Sequence, residues 1–479
     1  MITPPLGEGG MAGVDTYFEI SQRGSTMGRE IRGGLATFFT MAYIVVLNAL
    51  ILGSATDGTG AKLDQAQVAA ATALVAGVMT ILMGVVARFP LALAAGLGIN
   101  AFVAFEIAPQ MTWADAMGLV VIEGVIIAIL VLTGLRRAVF EAVPTQLKTA
   151  IGVGIGLFLT VIGFVDAGFI RGSAAAPPLS IGIGGKLVGW PTLVFVLGLL
   201  ATLIMVVRKV KGAILIGIIG STVLAIVVES IVKVGSSAGG TNPRGWSLNV
   251  PKLPEKFVDL PDLGLLGKFD LFGSWSQVGW LVTVMFVFTL LLTDFFDTMG
   301  TMVAVGQEGD LLDESGNPPR TREILFVDSI AAAAGGAASV SSNTSYIESA
   351  AGVAEGARTG VANLVTGGLF LLAMFLAPLV TVVPFEAAST ALVVVGFIMM
   401  TAVRTIDWTD YEIAIPAFLA IVLMPFTYSI SNGIGAGVIA YVVLKAAKGK
   451  FREVHPLLWA VAVLFVVYFA RGVIGEWLT

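Results

Sequence analysis

Long apolar runs, broken by Gly, Pro and charged residues rather than by strand-like alternation, fill most of this chain. They predict helical spans at 31–53, 67–88, 91–108, 115–135, 146–165, 190–207 and 212–232. A polar stretch at 235–276, rich in Gly, Pro and Lys, separates these from further runs at 279–305, 323–341, 344–357, 359–383, 388–403, 411–428 and 432–447. A last run, 456–475, stands apart as a further span or an interfacial helix. A bilayer core takes ~20 apolar residues per helix, so runs of this length read as spans. The predicted fold class is an all-α polytopic membrane protein of about fourteen spans.

An odd number of spans before the middle loop inverts one half of the chain relative to the other, and matching landmarks support this. TFFTM (37–41) in span 1 answers DFFDT (294–298) in span 8, and AAG at 94–96 answers AAG at 350–352. Val143-Pro144 with Gly156 is echoed by Val383-Pro384 with Gly396. These order into a seven-plus-seven inverted repeat, an architecture that places binding sites near the midplane between interrupted helices. Spans 3 and 10 fit that role: span 3 lies between Pro90 and Pro109 and carries Gly96 and Gly98, and span 10 is short and polar. Each is expected to combine extended backbone with a half-helix, tolerable at membrane depth only where it lines a cavity.

Composition agrees with the pattern. The 479 residues are 57% hydrophobic and 12% charged, with a mean hydropathy of +0.94, which excludes a soluble enzyme and a disordered chain. Lys+Arg 27 against Asp+Glu 32 leaves no basic surface for nucleic acid. There is no Cys, and His455 is the single His, so thiolate and imidazole metal sites are not expected. Residues up to Arg29 are polar and Gly-rich, without the basic-then-apolar signature of a cleaved signal. With a cytoplasmic N-terminus, Arg88, Arg208, Lys209, Arg320, Arg404 and Lys448 fall on the cytoplasmic side, the arrangement expected of a positive-inside topology.

Ionisable groups inside spans are costly and mark function. Asp294 and Asp297 stand at i and i+3 in LLLTDFFDTMG, on one helix face. Such a pair suits binding or proton coupling; hydrogen bonding to Thr293, Thr298 and Thr301 is the plainer alternative. Glu348, between Ser345, Tyr346 and Ser349, has no basic residue within its span. Burial without a cation favours the protonated form of a carboxyl, so Glu348 can take up a proton and release it to water. Asn100 closes GLGIN and offers a donor and an acceptor beside the expected half-helix. Glu106, Glu123 and Asp328 are nearer span ends or isolated and read as interhelical hydrogen bonds. With no Arg or Lys in the central spans, a strongly anionic substrate is disfavoured. Carboxylates, Asn and the aromatics Phe38, Phe39, Phe295, Phe296 or Tyr346 suit a neutral planar solute with paired N–H donors, such as a nucleobase.

The strings GLGINAF (96–102), DFFDTMGT (294–301) and NTSYIESAAGV (343–353) resemble the AzgA-like guanine/hypoxanthine/adenine permease branch of the nucleobase:cation symporter-2 family, within the uracil/xanthine permease superfamily. The resemblance runs from about Asp15 to about Arg452. It implies a uracil-permease-like fold, with a core domain from spans 1–4 and 8–11 and a gate domain from spans 5–7 and 12–14. On this division the repeats occupy 31–233 and 279–447, with an extracytoplasmic loop at 234–278 and a tail at 448–479.

The resemblance also implies a secondary active transporter that imports purine nucleobases, hypoxanthine or guanine and in some members adenine, by proton symport. Asp294, Glu348 and Asn100 take the places of substrate ligands, and Glu348, Asp297 and Asp294 those of proton-coupling groups. Thr37, Phe295, Thr298 and Ser345 take supporting or stacking places. Related uracil and xanthine carriers often carry a His in span 8, four residues after the first acid; Thr298 stands there, so coupling falls on carboxylates. No cofactor or metal is expected, the coupling ion being a proton with sodium as the alternative. The chain is expected in the cell membrane, multi-pass, with a possible homodimer through the gate. Rival readings are a carrier of uracil, xanthine or an anion on the same fold, and an ion channel. No nucleophile with its base, metal cluster or phosphate loop points to an enzyme.

Overall fold

Hydrocarbon offers no hydrogen bonds to a backbone, so a chain crossing it must satisfy its own N–H and C=O groups. The computed structural model describes residues 8–134, 143–172, 179–237, 242–254, 256–313 and 317–478, and the apolar runs form helices. Among the described residues ten helices are long and apolar enough to cross a membrane. In the first half these are Met27–Ser54 (span 1), Gln65–Val86 (2), Trp113–Thr133 (4), Thr145–Asp166 (5), Trp190–Val207 (6) and Ala213–Val232 (7). In the second half they are Gly279–Glu308 (8), Val361–Val382 (11), Phe385–Thr405 (12) and Ile430–Ala447 (14). Thr321–Ala337 (9) and Tyr411–Thr427 (13) are shorter, and Pro456–Leu478 forms a further helix packed on spans 8 and 14. Side-chain caps mark the starts of spans 1, 2, 4, 13 and 14; span 1 begins at Met27, where the Thr26 hydroxyl accepts the Arg29 N–H.

Spans 3 and 10 are the interrupted ones. Strand β1 (Leu93–Ala95) leads through Gly96 into a half-helix, Leu97–Phe102. A surface hairpin, β2 (Ile170–Gly172) with β3 (Leu179–Ile181), lies between spans 5 and 6. Strand β4 (Asn343–Ser345) leads to a second half-helix, Ser349–Ala354. β1 and β4 pair antiparallel, with Leu93 opposite Ser345 and Ala95 opposite Asn343. Their flanks are satisfied across the halves as well: Gly96 N–H donates to Ser342 O at 2.9 Å and Tyr346 N–H to Ala92 O at 3.0 Å. Each broken span thus supplies the hydrogen bonds the other lacks.

The structure revises one of the repeat landmarks. Ala94–Gly96 lie in β1 and the turn after it, whereas Ala350–Gly352 lie inside the second half-helix, so the two AAG strings are not equivalent places. The strands themselves correspond instead. Pro144 and Pro384 each stand immediately before a helix, spans 5 and 12, and those helices cross at Gly156 and Gly396. A Cβ added at Gly156 would sit 2.8 Å from the Gly396 carbonyl oxygen. Small residues are what let helix backbones approach this closely in a membrane.

Span 4 packs on span 9, span 2 on span 11, and span 5 on spans 12 and 13. The polar segment after span 7 lies across the helix ends on one face of the molecule. Trp246 donates to Glu229, Asn249 to Gln65 and the Val383 carbonyl, Ser339 to the Leu265 carbonyl, and Asp270 N–H to the Ala114 carbonyl.

Candidate functional site

Glu348 stands where β4 ends and the half-helix Ser349–Ala354 begins, a position set by the break in span 10. It accepts a hydrogen bond from the Tyr43 hydroxyl in span 1. Thr37, one turn before Thr40 in the same span, is buried against the half-helix: a Cβ at Gly352 would collide with its hydroxyl. Tyr346 reaches back from β4 to the Ala95 carbonyl at 2.6 Å and so locks the strand that carries Glu348 to β1.

Asp294 and Asp297 share span 8 but not an environment. Three residues of helix turn the side-chain direction by ~300°, leaving ~60° between the two, enough for a boundary to fall between them. Asp297 is exposed and lies within electrostatic range of Glu348. Gly300, Ala304 and Gln307 continue that exposed strip along the helix, away from the long loop. Asp294 is fully buried and turns to spans 4, 9 and 10, where its carboxyl lies within hydrogen-bonding reach of Glu123 and Thr344.

The other expected residues divide the same way. Asn100 is fully buried in its half-helix, and neither its amide nitrogen nor its oxygen has a partner among the described residues. Thr298 donates to Asp328 at 2.8 Å and lies 2.8 Å from the Thr344 hydroxyl; Ser345 donates to the second Asp328 oxygen at 2.8 Å. Phe295 is buried in the hydrophobic core, and the Phe296 side chain lies outside the described residues. Asp297 is the exposed member, within electrostatic range of Glu348, Asp294 and Asp328, while Asp294, Thr298 and Ser345 belong to a polar row beside β4.

Sequence reasoning missed Tyr43, Glu123 and Asp328 as parts of these groups. Glu123 and Asp328 carried a signal, a carboxyl within an apolar run, but nothing local told which helix each would face. Tyr43 carried none.

On the face with the long loop the spans close over the site. Glu106 in span 3 accepts the Ser429 hydroxyl at 2.7 Å and the Ile430 N–H at 2.9 Å, clasping the start of span 14. Phe105, Tyr428 and Phe158 stack edge to face beside it. A separate cavity of about 260 Å³ is lined there by Glu106, Gln110, Ser429, Asn432, Tyr468 and Phe469.

The Xan_ur_permease model, described as a permease family, matches residues 28–436. The guanine/hypoxanthine permease PbuG of Bacillus subtilis (strain 168) is 39% identical over 459 residues, covering 95% of this chain and 99% of the relative. The adenine permease AdeP of Escherichia coli (strain K12) is 34% identical over 460 residues, 96% of each chain. Among solved structures, the transmembrane domain of the cyanobacterial bicarbonate transporter BicA superposes with a TM-score of 0.62 over 86% of this chain and 97% of that one, at 13% identity, a likeness of fold. This chain therefore belongs to the permease family, beside the guanine/hypoxanthine and adenine permeases.

Proposed function

We propose that the protein imports purine nucleobases across the cell membrane by proton symport, with hypoxanthine and guanine as first candidates and adenine as a third. The observation that carries the reading is Glu348, fixed by Tyr43 at the tip of a broken span and within electrostatic range of the exposed Asp297. A purine presents ring N–H donors and a carbonyl acceptor; carboxylates accept the first, and Asn100 offers both kinds of partner. The names of the relatives support the substrate class.

In this mechanism protonation of Glu348 offsets the charge it would otherwise keep inside the membrane, and purine and proton travel together. Spans 1–4 and 8–11 form the moving core, and spans 5–7 and 12–14 the gate. Contacts at Glu106 and Phe105 close the outer side, and the exposed strip from Asp297 to Gln307 gives release to the cytoplasm. No step breaks or makes a covalent bond, so the activity is transport rather than catalysis.

The test is uptake of labelled hypoxanthine into proteoliposomes under an inward proton gradient, without sodium, with guanine, adenine, uracil and xanthine as competitors. Saturable, gradient-dependent uptake and counterflow are expected, blocked by guanine and not by uracil. Glu348→Gln and Asp297→Asn are each expected to lower accumulation by about tenfold or more, the loss of ~1.4 kcal/mol or greater. Full accumulation in both variants overturns the site, and uptake driven by sodium alone overturns proton coupling.

A further inference from the structure

Three carboxyls meet beside β4. Glu123 comes from span 4, Asp294 from span 8 and Asp328 from span 9; the first two are fully buried and the third nearly so. The charged groups acting on them are one another and Asp297, with no cation among these. Asp328 has its own donors, because Thr298 and Ser345 each give a hydroxyl to one of its oxygens.

Glu123 and Asp294 are different. None of their four oxygens makes a well-formed hydrogen bond to a described residue; Ser342 near Glu123 and Thr344 near Asp294 are the hydroxyls within reach, and the two carboxyls lie within hydrogen-bonding reach of each other. Two ionised carboxylates cannot share such a position in a medium of low dielectric; a single proton between them turns the repulsion into a hydrogen bond. A second observation points to the same spot. The Ser342 hydroxyl is fully buried, satisfies no hydrogen bond and lies within reach of Glu123.

We propose that Glu123 and Asp294 together form a proton-binding site distinct from Glu348. With its proton the pair carries one negative charge; without it, two. Thr344, within reach of Asp294 and 2.8 Å from the Thr298 hydroxyl, links the pair to Asp328 and Ser345 through β4, three residues before Glu348. Proton occupancy of the pair is thereby felt at the strand that carries the substrate carboxyl. The site stands on geometry; only what its proton drives rests on the transport reading above.

The test is infrared titration of the full-length protein in lipid, following the stretching band of protonated carboxyls, alongside hypoxanthine binding and uptake. A band present in the wild type is expected to vanish in Glu123→Gln and Asp294→Asn, and to persist in Glu348→Gln and Glu123→Asp. Glu123→Gln is expected to bind hypoxanthine within about threefold of wild type while accumulating about tenfold less under a gradient. Persistence of every band in Glu123→Gln and Asp294→Asn overturns the proposal. So does disappearance of the wild-type band on adding sodium, but not potassium, at constant pH, which makes the pair a sodium site. Failure of the wild type to bind purines while the Glu123-dependent band persists overturns the purine reading and leaves the proton site standing.

Discussion

Tyr43 donates its hydroxyl to Glu348, and the carboxyl is held in place whether or not it carries a proton. A hydrogen bond to a group that becomes charged contributes ~1.5–3 kcal/mol. Tyr43→Phe is therefore expected to raise the KM for purine uptake by about tenfold with normal insertion, read by uptake kinetics on quantified protein. An unchanged KM would remove Tyr43 from the site. Asp294, Asp297, Glu348 and Asn100 were legible as candidates because a polar group in an apolar run stands out whatever surrounds it. Their division into two groups was not legible: the ~60° between Asp294 and Asp297 places them on either side of a packing boundary that other spans create. Glu123 does reach across to another span, as its place in an apolar run suggests, but that its neighbour there is a second carboxyl was not legible.

Helix ends show how local signals become structure at the level of elements. Glu30, fully buried in span 1, accepts the Arg358 N–H at 2.8 Å and the Thr359 and Ala362 N–H groups at 3.3 Å, covering the unpaired start of span 11. Glu30→Ala strands these donors, each costing ~1–3 kcal/mol. The expected result is a fall of several degrees in Tm of the detergent-solubilised protein, smaller in Glu30→Gln, which keeps one acceptor. Where spans 5 and 12 cross, a Cβ at Gly396 would lie inside contact distance of the Thr160 hydroxyl and the Gly156 carbonyl. Gly396→Ala is expected to cost ~1–3 kcal/mol by forcing the helices apart, also read as Tm, and a neutral result would show that the crossing can relax. Span positions and the breaks in spans 3 and 10 were readable because length, Gly and Pro act within a few residues. The pairing of β1 with β4 was not, because it joins positions 93–95 to 343–345.

For the molecule as a whole, the decisive feature is an asymmetry between its two faces. Glu106 with Ser429 and Ile430, and Phe105 with Tyr428 and Phe158, tie span 3 to spans 5, 13 and 14 on the loop face, while Asp297 stays accessible towards the other. Because the chain contains no Cys, a single cysteine reports access without background. Asn432→Cys is expected to react several-fold faster with a membrane-impermeant maleimide once Glu106→Ala opens the clasp, and an unchanged rate would show that Glu106 does not hold that face shut. Sequence alone determined that the chain lives in a bilayer, roughly where each span lies, and which acids sit at membrane depth, since transfer free energies belong to residues and short runs. Tertiary structure alone decided that Glu348 meets Tyr43, that Asp294 turns to Glu123, and which face Glu106 clasps. Those outcomes depend on contacts between spans far apart in the chain, and the rotation of one helix against another is not encoded in its own pattern of apolar residues.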